Sequence, residues 1–150
     1  MSLGIARGAI EALLDLAGVK RHERSSQSVR EDPGAQTRLS QAEALVHSSR
    51  LYLYDAINRV WHDALEGREV NANERAQDRL AGSHAVTSAV QAVDLVYLTG
   101  GASSLYATCP LERAFRDVHA ITQHIAVHPR VLANTGRVFF GLAPDPTANL

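Results

Sequence analysis

Within the segment 110–124, PLERAFRDVHAITQH, four side chains that can carry charge or move a proton lie close together in residues 116–124. They are Arg116, Asp117, His119 and His124. Imidazole suits this position for chemistry, because it gains and loses a proton near neutral pH and can donate a hydrogen bond to developing negative charge. Just upstream, residues 100–104 (GGASS) form a flexible turn of small residues whose backbone can approach a ring or a phosphate closely. Together the two neighbouring segments predict a cofactor pocket.

The same residues also have ordinary explanations. Charges that alternate along a helix, such as Arg113, Arg116 and Asp117, usually pair within that helix, and subunit pairing is the functional alternative. Helical spacing predicts that Asp117, His124 and His128 share one flank while His119 points elsewhere. From spacing alone, a histidine on such a flank is more often a hydrogen-bonded or partly exposed side chain than a catalyst.

Metal and hydrolase chemistry are not indicated. His124 and His128 lack a third ligand at a usual spacing, and Pro129 would disturb the second histidine, so we expect no metal. No serine lies in a strand–turn–helix motif, and Cys109 has no adjacent basic residue.

The bulk composition excludes several partners. The chain has 150 residues and a formal net charge of -1, so it offers no basic surface for nucleic acid or an anionic membrane. No apolar run is long enough to cross a bilayer. The single Cys109 cannot form an internal disulfide, which favours a cytoplasmic location.

An Ala- and Leu-rich composition with little strand-like alternation predicts an all-α fold. We expect an up-and-down four-helix bundle with a short extra C-terminal helix, in one domain of residues 1–150. The first helix is predicted over residues 3–17 and ends at a left-handed Gly18, and a polar connector follows over residues 20–30. Its buried face should carry Ile10, Leu13, Leu14 and Ala17.

Capping signals mark the other helices. Asp32 and Pro33 begin the second helix, which runs to about residue 65 before Gly67, and Asn71 with Glu74 begins the third, over residues 72–98. The fourth begins at Pro110 and ends before Pro129, and the last spans residues 129–140 and is closed by Gly141. The second and third helices carry buried faces at three-four spacing, formed by Leu39, Ala42, Val46, Ser49, Leu53, Ala56 and Val60, and by Ala81, Ala85, Ser88, Ala92 and Leu95.

The second helix should be about 50 Å long at 1.5 Å per residue, more than a compact domain of this size accommodates. Such a long helix usually packs along other helices. We therefore expect a homo-oligomer, a dimer or tetramer, formed through the second and third helices.

Several segments together resemble one family. Residues 4–10 (GIARGAI), 41–45 (QAEAL), 100–104 (GGASS) and 110–124 are similar to the C-terminal helical domain of the acyl-CoA dehydrogenase superfamily, over nearly the whole chain. The residues RDVH followed by TQH, ending at His124, most resemble the flavin-dependent monooxygenase branch, which hydroxylates aromatic substrates using reduced flavin from a separate reductase.

This resemblance implies site residues. His124 would lie near the reactive edge of the flavin, where it stabilises a flavin hydroperoxide or orients the substrate hydroxyl. The small residues Gly101, Ala102 and Ser103 would contact the flavin, FAD or FMN, across a subunit boundary. Acyl-CoA dehydrogenases carry an acidic base just after this helix, whereas this chain has Ile125, Ala126 and Val127 there.

The resemblance also implies an incomplete pocket. Family members bind flavin between this domain and preceding helical and β domains, so we expect a fragment of a longer protein that does not retain flavin tightly alone. Two alternatives remain open: an acyl-CoA dehydrogenase C-terminal domain that oxidises a CH–CH bond, and a non-catalytic helical oligomerisation module.

Overall fold

The computed structural model describes residues 1–19 and 28–148 and consists of five α-helices. They are α1 (Ser2–Val19), α2 (Pro33–Glu66), α3 (Ala72–Gly100), α4 (Pro110–Ile121) and α5 (Pro129–Phe139). Short 3-10 turns lie at Val29–Glu31, Gly101–Leu105 and Ile125–Val127. The described residues contain no β-strand, so the all-α prediction is confirmed. None of their helices is long and apolar enough to cross a membrane.

Helix α3 lies at the centre and packs against the other four α-helices. It runs antiparallel to α2, since the start of α2 meets the end of α3 and the end of α2 meets the start of α3. Arg38 donates to the Thr99 hydroxyl at 2.9 Å, and Arg59 pairs with Asp78 at 2.6 Å. In the main buried cluster, the last residue that α2 contributes is Val46. The second half of α2 therefore packs along the first half of α3 outside this cluster.

The helix ends that depend on local capping are confirmed. The Asp32 side chain accepts the N–H groups of Gly34 and Ala35, with Pro33 in the first turn of α2. Asn71 and Glu74 form the predicted reciprocal capping box of α3. Gly67 ends α2 with a φ of 65°, a left-handed conformation that glycine adopts without a Cβ clash.

The start of the chain differs from prediction in two respects. Gly18 lies inside α1, which continues to Val19, and its φ is not positive. Leu14 is 47% exposed, although Ile10, Leu13 and Ala17 are buried as predicted. Of the predicted connector, residues 20–27 lie outside the described residues. Val29 is buried against Ala17 and Ala35, so the end of the connector is anchored rather than exposed.

The fourth helix ends earlier than predicted, at Ile121. The Thr122 hydroxyl donates to the carbonyl oxygen of His119 at 2.7 Å, and the N–H groups of the next residues bond to carbonyls three residues back. These bonds close the helix, since a tightened last turn satisfies the free carbonyls. The predicted helical flank that joins Asp117, His124 and His128 is therefore wrong.

Candidate functional site

His124 is an exposed side chain whose ring is held in one orientation by its own turn. Its Nδ1 accepts the backbone N–H of Ala126 at 3.2 Å, so the imidazole caps the 3-10 turn Ile125–Val127. Because Nδ1 is an acceptor, the neutral ring carries its proton on Nε2. Nε2–H is then the remaining donor of an exposed side chain, which suits a bond to an oxygen atom of a ligand.

His128 is held in the same way. Its Nδ1 accepts the backbone N–H of Arg130 at 3.2 Å and caps α5, in which Pro129 occupies the first turn. Pro129 therefore begins a new helix rather than disturbing an existing one. Within residues 1–19 and 28–148, no three histidine, cysteine or acidic side chains lie close enough together to hold a metal.

The small-residue turn is tightly packed rather than flexible, which corrects the sequence prediction. Gly100 is buried, and a Cβ on it would collide with Ser104 Oγ and lie 2.7 Å from a methyl of Leu111. The Ser104 hydroxyl is also buried and donates to the carbonyl oxygen of Tyr97 at 3.0 Å. Gly101 adopts a φ of 54°.

The outer side of this turn presents its backbone. Gly101 and Ala102 are exposed, and Ser103 is half-buried. The backbone N–H of Gly101 bonds to the carbonyl oxygen of Leu98, and the small side chains at 101–103 let a ligand approach the outer backbone closely. This surface fits a contact with a flat ring or a phosphate, as the resemblance implies.

The two predicted site segments lie at opposite ends of α4. The Gly101–Leu105 turn precedes Pro110, and His124 follows Ile121. A helix of 12 residues separates them by about 18 Å at 1.5 Å per residue. The two segments of one chain therefore lie apart, and the expectation that the turn contacts flavin across a subunit boundary stays a prediction.

A polar pair that the sequence did not predict bridges α3 and α4. His119 Nε2 lies 2.9 Å from a carboxylate oxygen of Asp94, and both side chains are half-exposed. The rings of Tyr97 and Phe115, and those of Phe115 and His119, have centroids 4.4 Å apart. This arrangement holds α4 against α3 from the middle of α4, at Phe115, to its last turn, at His119.

The charged residues of α4 pair within the helix. Arg113 lies 3.4 Å from Asp117, and Arg116 lies 3.8 Å from Glu112, each one turn away. These exposed pairs support the ordinary explanation given above, since such pairs contribute a few tenths of a kcal/mol.

A family model described as the C-terminal domain of acyl-CoA dehydrogenase matches residues 1–129. The chain belongs to that family. The matched residues cover α1 to α4 and the turn that carries His124. The match ends at Pro129, where α5 begins.

The domain is also similar to larger monooxygenases. It is 30% identical over 97% of its length to an indole-3-acetate monooxygenase of Pseudomonas putida and covers 38% of that protein. It is 29% identical over 98% of its length to the oxygenase component of a p-hydroxyphenylacetate 3-hydroxylase of Acinetobacter baumannii, covering 35% of it. The crystal structure of the HsaA monooxygenase from M. tuberculosis matches 99% of the domain with a TM-score of 0.84 and 26% identity, over 38% of that chain. The domain thus spans about two fifths of the length of these relatives.

Proposed function

We propose that this domain is part of an oxygenase component that hydroxylates a small aromatic substrate with reduced flavin and O2. The observation that carries the proposal is the imidazole of His124, which is exposed and presents a single N–H donor at Nε2. The relatives named as monooxygenase and hydroxylase supply the supporting context, since their similarity extends over His124.

His124 would act as a hydrogen-bond donor. A bound reduced flavin supplies the electrons that activate O2 for transfer of one oxygen atom to the aromatic ring. The Nε2–H of His124 would donate to an oxygen atom in this site or to the hydroxyl of the substrate, and its bond to Ala126 keeps that donor in place. Orienting the donor beforehand avoids reorganising it during the reaction.

Gly101, Ala102 and Ser103 would hold part of the flavin. Their exposed backbone fits a contact that larger side chains would block. Because about 18 Å of α4 separates this turn from His124, we infer that one subunit contributes its turn to the site in which the partner contributes its His124. Such a divided site fits weak flavin binding by a single isolated domain.

Oligomerisation would use the second half of α2. This helix exposes a row of large apolar side chains on its outer surface, formed by Leu51, Tyr54, Ile57, Trp61 and Leu65. Contiguous exposed apolar surface usually marks an interaction site. A second copy of the domain is the occupant proposed here, and a separate reductase would supply the reduced flavin.

Acyl-CoA oxidation is less well supported. That reaction needs a base to remove a proton from the substrate. Residues 125–127, directly after His124, carry no carboxylate at the position where the acyl-CoA dehydrogenases have their base, and Asp117 pairs with Arg113.

Anaerobic titration with reduced FMN and reduced FAD tests the proposal. The complete gene product that contains these 150 residues should bind one of them, and Ala102→Val, at an exposed position of the turn, should weaken this binding while the oligomer stays intact by light scattering. Gly136→Val, in α5 where a Cβ meets open space, is the matched control. Stable oligomers that bind neither flavin would instead support the assembly-module alternative.

A further inference from the structure

A cavity of about 350 Å³ opens directly after His124. It lies between the 3-10 turn Ile125–Val127, the start of α5 and the C-terminal tail, and is lined by Ile125, His128, Arg130, Val131, Thr147 and Ala148. Sites for small molecules usually enclose about 300–1,000 Å³. The cavity is therefore large enough for the polar end of a small ligand.

The tail wall of the cavity is held in place by Asn134. This side chain is 1% exposed, and its amide donates to the carbonyl oxygens of Asp145 and Ala148 at 3.2 and 2.7 Å. Its oxygen accepts the backbone N–H of Asp145 at 2.7 Å. Three hydrogen bonds to one buried amide fix the tail against α5, so the cavity is built into the fold rather than formed by a loose end.

Two donors in the cavity are available to a ligand. Among residues 1–19 and 28–148, the guanidinium of Arg130 has neither an ion-pair partner within 4 Å nor a hydrogen-bond partner. His128 uses Nδ1 to cap α5, which leaves Nε2–H as a donor. The first amides of α5 contribute nothing further, since His128 already accepts the N–H groups of Arg130 and Val131.

The nearby carboxylate of Asp145 is held by other groups. Its Oδ1 accepts the hydroxyl and the backbone N–H of Thr147 at 2.7 and 2.8 Å. These bonds, with the positive charges of Arg137 and Arg130 beyond them, hold the pKa of Asp145 below its usual value. Asp145 thus stays charged and bound to Thr147 without reaching contact distance of Arg130.

We propose that Arg130 and the Nε2–H of His128 bind the oxyanion of a small ligand, the carboxylate of an aromatic acid substrate. This inference rests on the proposed function and adds the substrate class to it. A planar guanidinium matches a carboxylate with two parallel hydrogen bonds, and Ile125, Val131 and Ala148 supply apolar surface for the rest of the ligand. The phosphate group of FMN is the other oxyanion that the same two donors would bind.

Equilibrium dialysis of the complete gene product tests the site with isosteric probe pairs. The probes are 4-hydroxyphenylacetate against its neutral amide, and indole-3-acetate against its neutral amide. We expect an acid to bind at least about tenfold more tightly than its amide, which corresponds to about 1.4 kcal/mol. Arg130→Ala should abolish this preference, Arg130→Lys should keep part of it, and Arg113→Ala, which removes an exposed cation elsewhere, should keep all of it.

The binding of reduced FMN is compared with that of reduced riboflavin, which lacks the phosphate. This comparison separates the two sources of the oxyanion. A preference for FMN that Arg130→Ala removes, with no preference for acids, would assign the site to the flavin phosphate and overturn the substrate-carboxylate proposal. Equal binding of acid and amide by the wild type, or an acid preference unchanged in folded Arg130→Ala, would overturn it as well. An Arg130-dependent acid preference in a protein that shows no flavin-dependent hydroxylation would refute the proposed function while this anion site stands.

Discussion

The imidazole of His119 on α4 and the carboxylate of Asp94 on α3 lie 2.9 Å apart. The pair joins the central helix to the helix whose two ends carry the candidate site segments. Phe115 packs between His119 and Tyr97, so the polar contact lies at the end of a row of rings. This contact fixes how α4, and with it His124, is placed relative to the bundle.

A double-mutant cycle should detect this contact. We expect Asp94→Ala and His119→Ala to show a coupling free energy of about 0.5–1 kcal/mol, typical of a half-exposed hydrogen-bonded pair. Urea unfolding of the two single variants and the double variant measures it. The pair Arg113 and Asp117, exposed within α4, is the control and should couple by less than about 0.5 kcal/mol. Equal coupling in both pairs would show that the Asp94 contact has no special role.

Two glycines of α3 should respond oppositely to alanine. Gly100→Ala places a methyl group against Ser104 and Leu111 and should destabilise the domain by about 1–3 kcal/mol through overpacking. Gly82→Ala meets open space in the helix interior and should stabilise it by about 0.5–1 kcal/mol, because alanine loses less backbone entropy. Thermal unfolding of the two variants compares them directly. A neutral Gly100→Ala would contradict the close packing of the turn.

The capping box of α3 should make stability depend on acid pH. The backbone N–H of Asn71 and the guanidinium of Arg68 hold the pKa of the Glu74 carboxyl below its usual value. The stabilisation that the ionised Glu74 carboxylate gives to the folded state is fully present above its unfolded-state pKa, about 4.3 for glutamate. It is lost as the pH falls through the lower folded-state pKa. Glu74→Gln should therefore flatten the loss of stability below about pH 4.3. Urea midpoints between pH 3 and pH 7 provide the measurement, and parallel profiles for wild type and Glu74→Gln would refute the role of this box.

The tail should detach when Asn134 is replaced. Asn134→Ala removes three hydrogen bonds between α5 and the tail and should cost about 1–3 kcal/mol. Hydrogen exchange at Asp145, whose N–H bonds to Asn134, should accelerate in this variant. Thr37→Ala, an exposed change in α2, is the control. Unchanged exchange at Asp145 would show that other contacts hold the tail.

Local capping made much of the fold predictable from sequence. The Asp32 cap, the Asn71–Glu74 box and the left-handed Gly67 each depend on residues within four positions of the helix end. The end of α4 was missed because the Thr122 hydroxyl and the His124 ring both bond to their own backbone, which competes with helix continuation.

The candidate site was predictable only in part. The donor chemistry of His124 follows from its residue type, and the small side chains of the turn follow from the sequence. The partnership of Asp94 with His119 does not, since it depends on the alignment of two antiparallel helices across 25 residues. The distance between the turn and His124 likewise depends on where α4 ends, which is set by the bonds of Thr122 and not by helical periodicity.

The coupling of hydroxylated product to flavin oxidation tests the central role of His124 most directly. In the complete gene product supplied with reduced flavin, O2 and an aromatic substrate, wild type should form nearly one product per flavin oxidised. His124→Ala should still oxidise flavin but release hydrogen peroxide instead of product, because the Nε2–H donor is gone. His47→Ala, an exposed histidine change in α2 far from the candidate site, is the control and should keep the wild-type ratio. An unchanged ratio of product to oxidised flavin in His124→Ala would contradict the proposal that this imidazole acts in the reaction.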